Sequence, residues 1–143
     1  MHRKEFKKSL EEGKHVFGTN LPVQSADLIE RIGYIGYDWV MIDDEHVFNN
    51  DETMANMIRA AEIANVTPLI RLRDPSPSWC YQFLDMGVGG IILSHTESPQ
   101  EVLDLIELNP DEIRSLVIPV YDNVMFGKAD RIFSPKFLRS LNQ

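Results

Sequence analysis

The sequence predicts an α/β fold built on a parallel sheet, and three observations point to it. Apolar runs of strand length alternate with stretches of helical period, four times over, between Val16 and Leu108. The connections between them are short, and in a sheet of this rhythm they imply right-handed crossovers. The run Trp39 to Ile42 is apolar on both faces, as expected of a parallel strand covered on both sides.

Taken in order, Lys4 to Glu12 reads as a short amphipathic helix with Phe6 and Leu10 on one face, stopped at Gly13. Val16-Phe-Gly-Thr19 is the first strand candidate. Ser25 is an N-cap for a helix over Ala26 to Ile32, ended by Gly33 or Gly36. The second strand is Trp39 to Asp43. Asn50 or Asp51 caps the next helix, whose apolar face is Met54, Met57, Ile58, Ala61 and Ile63. Pro68 to Leu72 is the third strand, with its proline at the permitted first position. Asp74 to Pro77 opens a third helix over roughly Ser78 to Met86. Gly87 to Gly90 makes a tight turn into the fourth strand, Gly90 to Ser94. Ser98-Pro99 starts a fourth helix running to about Leu108. Beyond Asn109 the rhythm weakens. Leu116 to Val120 is a fifth strand candidate demoted by Pro119, and Ser134 opens a last helical turn or two up to Leu141.

With 143 residues the chain has enough for one core and one domain. Its hydrophobic share of 43% and charged share of 25% are those of an ordinary globular protein. A net charge of -8 and a pI near 4.9 argue against nucleic acid as a partner. No stretch approaches the length of a membrane span, so no membrane role is expected. The basic stretch Met1 to Lys8 has no apolar region behind it, unlike a signal peptide. The single Cys80 excludes an internal disulfide and fits a reducing cytoplasm; beside Trp79 and Tyr81 it reads as packing.

The polar residues gather where the strands end. Thr19 and Asn20 follow the first strand, and Asp43, Asp44, Glu45 and His46 follow the second. Arg71 lies one residue from the end of the third, and Ser94, His95 and Thr96 follow the fourth. A parallel sheet puts all these ends on one rim, where such folds keep their active sites. Asp43 and Asp44 either contribute to a titratable cluster or merely cap the following helix. Arg71, in an otherwise apolar strand, needs an anionic partner. That partner is either a carboxylate of Asp43 or Glu45, or a substrate carboxylate or enolate oxygen held by the fork. His95 is either a ligand group or an idle helix-entry residue.

A Schiff-base mechanism needs a lysine on the rim. Every lysine (Lys4, Lys7, Lys8, Lys14, Lys128 and Lys136) lies outside the region from the first strand to the fourth helix. There is no G-x-S-x-G elbow, and Gly87, Gly89 and Gly90 precede a strand, so they form no phosphate-binding loop.

Four ordered stretches then suggest a family. Gly36-Tyr-Asp-Trp-Val-Met-Ile-Asp-Asp-Glu-His46 resembles the Gly-Phe-Asp-Trp-(apolar)₂-Ile-Asp-x-Glu-His signature of the HpcH/HpaI aldolases. Phe17-Gly-Thr19 with Leu21-Pro22 resembles that family's first strand and loop, and Pro68-Leu-Ile-Arg71 its Pro-Leu-Val-Arg. Leu84-Asp-Met-Gly-Val-Gly-Gly-Ile-Ile-Leu93, with His95 and Glu97 to Glu101, resembles its run into the fourth helix. The resemblance covers about Lys8 to Ile106.

It implies a (β/α)₈ barrel that makes and breaks C–C bonds in 2-oxo acids, with Mg²⁺, Mn²⁺ or Co²⁺ holding a pyruvate enolate. By motif, His46 and Asp43 are the base dyad, Asp43 orienting the imidazole that takes the aldol proton through water. Arg71 stabilises the enolate oxygen, and Glu45 lies beside the metal's water shell. Ser94 and His95, by their place on the same rim, are expected to join Arg71 in binding substrate. Asp85 matches a family position but precedes the fourth strand, which puts it at the wrong rim. Asn20 stands where many members carry an aromatic residue, and Ser94 replaces a usual proline.

The family's metal-ligating Glu and Asp follow its fifth and sixth strands, and the chain is expected to hold neither. Such barrels run to roughly 250 residues. The chain is therefore expected to be a single N-terminal half-barrel of about four β/α units, with residues 109–143 as a variable connecting segment. Its expected partners are a small 2-oxo acid and either further copies of itself or a C-terminal half. Two other readings stand beside the aldolase: a related acyl-CoA-linked C–C lyase, and a non-catalytic half-barrel binding a small carboxylate or a partner chain.

Overall fold

Strand register decides which side chains share a face, and so positions everything else. The computed structural model describes residues 1–47, 50–73, 76–96 and 117–119. Their elements are α1 (Arg3–Glu11), β1 (Gly18–Leu21), α2 (Ala26–Ile35), β2 (Trp39–Asp43), α3 (Asp51–Ile63), β3 (Thr67–Arg71), α4 (Pro77–Asp85), β4 (Gly90–Leu93) and β5 (Val117–Pro119). The strands form one sheet in the order β1-β2-β3-β4-β5, and every neighbouring pair is parallel.

In register, Trp39 pairs with Thr67, Met41 with Leu69 and Asp43 with Arg71, so these share one face. Val40, Ile42 and Ile70 take the other, where with Ile91 and Leu93 they meet apolar residues of α2, α3 and α4 in the main core. Phe6 of α1 packs instead on Leu69 and Ile92, with Trp39 and Met41 beside them. The helices therefore do not all lie on one face. The three that follow strands cover one side, and α1 sits under the other, with Thr67 Oγ1 donating to the Met1 carbonyl at 2.6 Å.

Local chemistry sets the element ends. Ser25 Oγ accepts the Leu28 N–H at 3.1 Å and Asn50 Oδ1 accepts the Thr53 N–H at 2.9 Å, each capping its helix. Helix α2 runs through Gly33 and ends at Gly36, where φ of 100° suits a residue without a Cβ. Gly33 is needed for approach instead, since a Cβ there would lie 2.4 Å from the Ala64 carbonyl oxygen below α3.

The third strand starts at Thr67, whose N–H donates to the Asp38 carbonyl at 2.9 Å, so Pro68 is its second residue, not its first, and Arg71 its last. Two other strands differ from expectation as well. The first begins at Gly18, later than Val16, because Phe17 spends its N–H on the Asp38 carboxylate and leaves its side chain 70% exposed. The fifth forms despite Pro119, which pairs with Leu93. Among the described residues β5 has one neighbour, and a missing N–H is tolerated on such a strand. The helices expected from Ser98 and from Ser134 lie outside the described residues.

Candidate active site

Asp43 ends β2 on the face under which α1 lies (the inner face), opposite Arg71, which ends β3. Its side chain is 2% exposed, so it needs compensation. Arg71 supplies this as a fork: Nε donates to Oδ1 at 3.1 Å, and Nη2 donates to Oδ2. The backbone N–H groups of Glu45 and His46 add bonds to Oδ1 at 3.0 and 3.2 Å. Burial pushes the Asp43 carboxyl upward, but Arg71 and the two N–H groups outweigh it and hold it below the ordinary value. The acids do not cap α3, since Asn50 does that.

Glu45 is where the rim converges. Its Oε2 lies 3.2 Å from Arg71 Nε and accepts the Ser94 hydroxyl at 2.7 Å. His46 Nε2 is 3.4 Å from the same oxygen, and His95 Nε2 is 3.0 Å from Oε1. Side chains following β2, β3 and β4 thus meet on one carboxylate that is only 12% exposed. His95 adopts φ of 54°, a left-handed conformation uncommon for a residue with a side chain, and it contacts Glu45. The histidines lie outermost, about two-thirds exposed, where a ligand can reach them.

The expected site residues Asp43, Glu45, His46, Arg71, Ser94 and His95 are therefore one cluster. Arg71 takes the intramolecular partners, both Asp43 and Glu45. The contact from Asp43 to His46 includes the backbone N–H, and the imidazole faces Glu45. Asn20 is on the inner face of β1, level with Met41 and exposed. Asp85 ends α4 before β4 begins, away from this rim.

Two features escaped the sequence reading. One is the centrality of Glu45, for which no spacing gives a signal. The other is a second ion pair, Asp44 with Arg73: Nε donates to Oδ2 at 2.8 Å and Nη2 to Oδ1 at 2.7 Å. Consecutive strand-end residues point to opposite faces, and that alternation was the available clue. Asp44 holds the Arg73 guanidinium above its ordinary pKa.

No group of three or more His, Cys, Asp or Glu among the described residues is placed to hold a metal ion. The Asp43 and Glu45 oxygens already face guanidinium, hydroxyl, imidazole and backbone donors. These residues alone do not fit a complete ligand set.

A family model described as HpcH/HpaI aldolase/citrate lyase matches residues 17–130. The chain belongs to that family. Its enzymes generally depend on a divalent metal. A hydroxypyruvate/pyruvate aldolase of Roseobacter denitrificans is 30% identical over 101 residues, which are 71% of this chain and 40% of that protein. A 4-hydroxy-2-oxo-heptane-1,7-dioate aldolase of Salmonella arizonae is 27% identical, with coverage of 71% and 38%. Among solved structures, the citrate synthase SbnG gives a TM-score of 0.72 at 32% identity, over 79% of this chain and 54% of its own. An HpcH/HpaI aldolase from Desulfitobacterium hafniense gives 0.68 at 22% identity, over 95% and 52%, which shows the fold. The chain spans about 40% of the length of the curated relatives it matches.

Proposed function

We propose that this chain carries the acid–base and oxyanion-binding rim of a metal-dependent class II aldolase acting on 2-oxo acids. The observation that supports it is the Arg71–Glu45 cluster at the C-terminal rim of a parallel sheet, in a chain of this family. Arg71 faces the substrate's enolate oxygen with a fixed guanidinium that Asp43 orients. His46, exposed, with its backbone N–H on Asp43 and its imidazole beside the Glu45 carboxylate, takes the aldol hydroxyl proton through water. Ser94 and His95 bind the substrate carboxylate. A divalent metal would polarise the enolate, held by ligands other than the described residues, with Glu45 near its water shell.

The same rim works best in a closed barrel. Among the described residues β1 and β5 each have one strand neighbour, and open edges of this kind are normally paired or covered. We infer that further strands, or another chain, complete the barrel and supply the metal ligands. A cytoplasmic setting fits the lone, buried Cys80. The 32% identity to a citrate synthase favours a second reading on the same rim: C–C chemistry on a citrate-like tricarboxylate, akin to the acyl-CoA-linked lyases.

The test is metal-dependent deuterium uptake into the pyruvate methyl group, followed by proton NMR, in the completed barrel. Arg71→Lys should slow it by about 10²-fold or more, and His46→Ala should slow cleavage of a 4-hydroxy-2-oxo acid by a similar factor. Lysine fails because a point charge lacks the fork. Wild-type rates in Arg71→Lys would remove Arg71 from the chemistry. Binding of pyruvate without any uptake would favour a non-catalytic carboxylate-binding barrel.

A further inference from the structure

We propose that Asp44 and Arg73 are positioning residues for the rim, holding Arg71 and Glu45 in place from the far face of the sheet. This rests on the aldolase reading for its kinetic consequence, though not for its structural one. Asp44 lies between Asp43 and Glu45 in the chain, and its N–H donates to the Arg71 carbonyl at 3.0 Å. Any shift of the Asp44 backbone therefore moves both acids and the strand that carries Arg71.

The Asp44 side chain, 1% exposed, is gripped by both Arg73 donors at 2.8 and 2.7 Å. Arg73 lies over the Trp79 ring, 5.4 Å from its centroid. Trp79 in turn stacks on Phe83, with centroids 5.8 Å apart and planes at 22°. Phe83 is a buried member of the main core. An unbroken line of rigid groups thus runs from α4 through Arg73 to the peptide between the two rim acids.

An ion pair whose Asp44 is buried but whose Arg73 is 41% exposed adds little stability of its own. What a two-bond fork adds is direction, because it fixes distance and plane together. Arg71 and Arg73 hold adjacent acids from opposite faces, one fork within the site and one behind it.

The experiment follows the Arg71 Nε–H resonance in a proton–nitrogen spectrum of the full chain, assigned by its loss in Arg71→Lys. Arg73→Lys keeps the charge and loses the fork; Asp44→Asn keeps the shape and loses the charge. Both should shift that resonance and speed its exchange with water. In the completed barrel both should lower kcat for pyruvate proton exchange by about tenfold or more, with KM little changed. If Asp44→Asn does not fold, Arg73→Lys and Trp79→Phe provide the readout. An unmoved Arg71 resonance in folded variants that only melt earlier would make the pair purely structural and overturn the proposal. Absence of pyruvate exchange in the wild type would instead count against the aldolase reading, while the resonance still decides the role of Arg73.

Discussion

Replacing Arg71 with leucine tests the central pair directly. Asp43 is 2% exposed and Arg71 18% exposed, so the substitution leaves a carboxylate buried beside an apolar chain. Breaking a buried pair from one side costs about 3–5 kcal/mol. Asp43 keeps its two backbone N–H bonds, and Arg71 is partly open to water, so the expected loss is at the low end, about 3 kcal/mol. With a urea slope of about 1.5 kcal/mol per M, the unfolding midpoint should fall by about 2 M at unchanged slope. Arg71→Lys retains a charge but not both forked bonds and should lose about 1.5–2 kcal/mol.

The pH dependence sharpens the test. In the wild type the Asp43 carboxyl is held below its unfolded value. Its stabilisation is therefore full above the unfolded pKa of about 3.9 and is lost as pH falls through the lower folded value. Without Arg71, burial is opposed by the two backbone N–H bonds and no longer by the guanidinium, and the folded pKa should rise from its wild-type position. The deficit of Arg71→Leu should then be greatest at neutral pH and shrink as pH falls through the variant's folded pKa toward the lower wild-type one. Urea titrations at a series of pH values measure both effects. A deficit under about 0.5 kcal/mol at neutral pH, or one that widens on acidification, would refute the buried-pair account.

Other perturbations probe the frame and the association. Asn50→Ala removes the bond to the Thr53 N–H and should cost about 1 kcal/mol in urea unfolding, whereas Asn50→Asp should be nearly neutral. Gly33→Ala places a Cβ 2.4 Å from the Ala64 carbonyl oxygen, so the melting temperature should drop by the equivalent of about 1–3 kcal/mol despite alanine's better helix propensity. A raised melting temperature would mean that α2 and α3 pack more loosely than described. The edges of β1 and β5, each with one strand neighbour among the described residues, should make the 16.4 kDa chain elute as a larger species on sizing, while α1 keeps Ile92 covered. Elution as a monomer at tens of µM would count against association through those edges.

The sequence by itself determined the class of fold, the order of its elements and the rim on which the polar side chains gather. Periodicity and caps are local properties, so Ser25, Asn50 and the run Trp39 to Asp43 were legible without coordinates. Strand ends were less so. Phe17 left the ladder because Asp38 offered its N–H a carboxylate, and Pro119 entered it because, among the described residues, its strand has one neighbour. Only the tertiary structure decided which acid each arginine takes. Asp43 and Glu45 are equivalent charges in the sequence, and Arg71 could have forked to either. The register of β2 against β3 placed Asp43 opposite Arg71, and the pleat sent Asp44 to the far side, where Arg73 waits over Trp79. Glu45 became the meeting point of Arg71, Ser94 and both rim histidines because three strand ends converge around it. Charge pairing falls off within a few ångströms, and that scale is set by packing across strands, which no local pattern in the chain encodes.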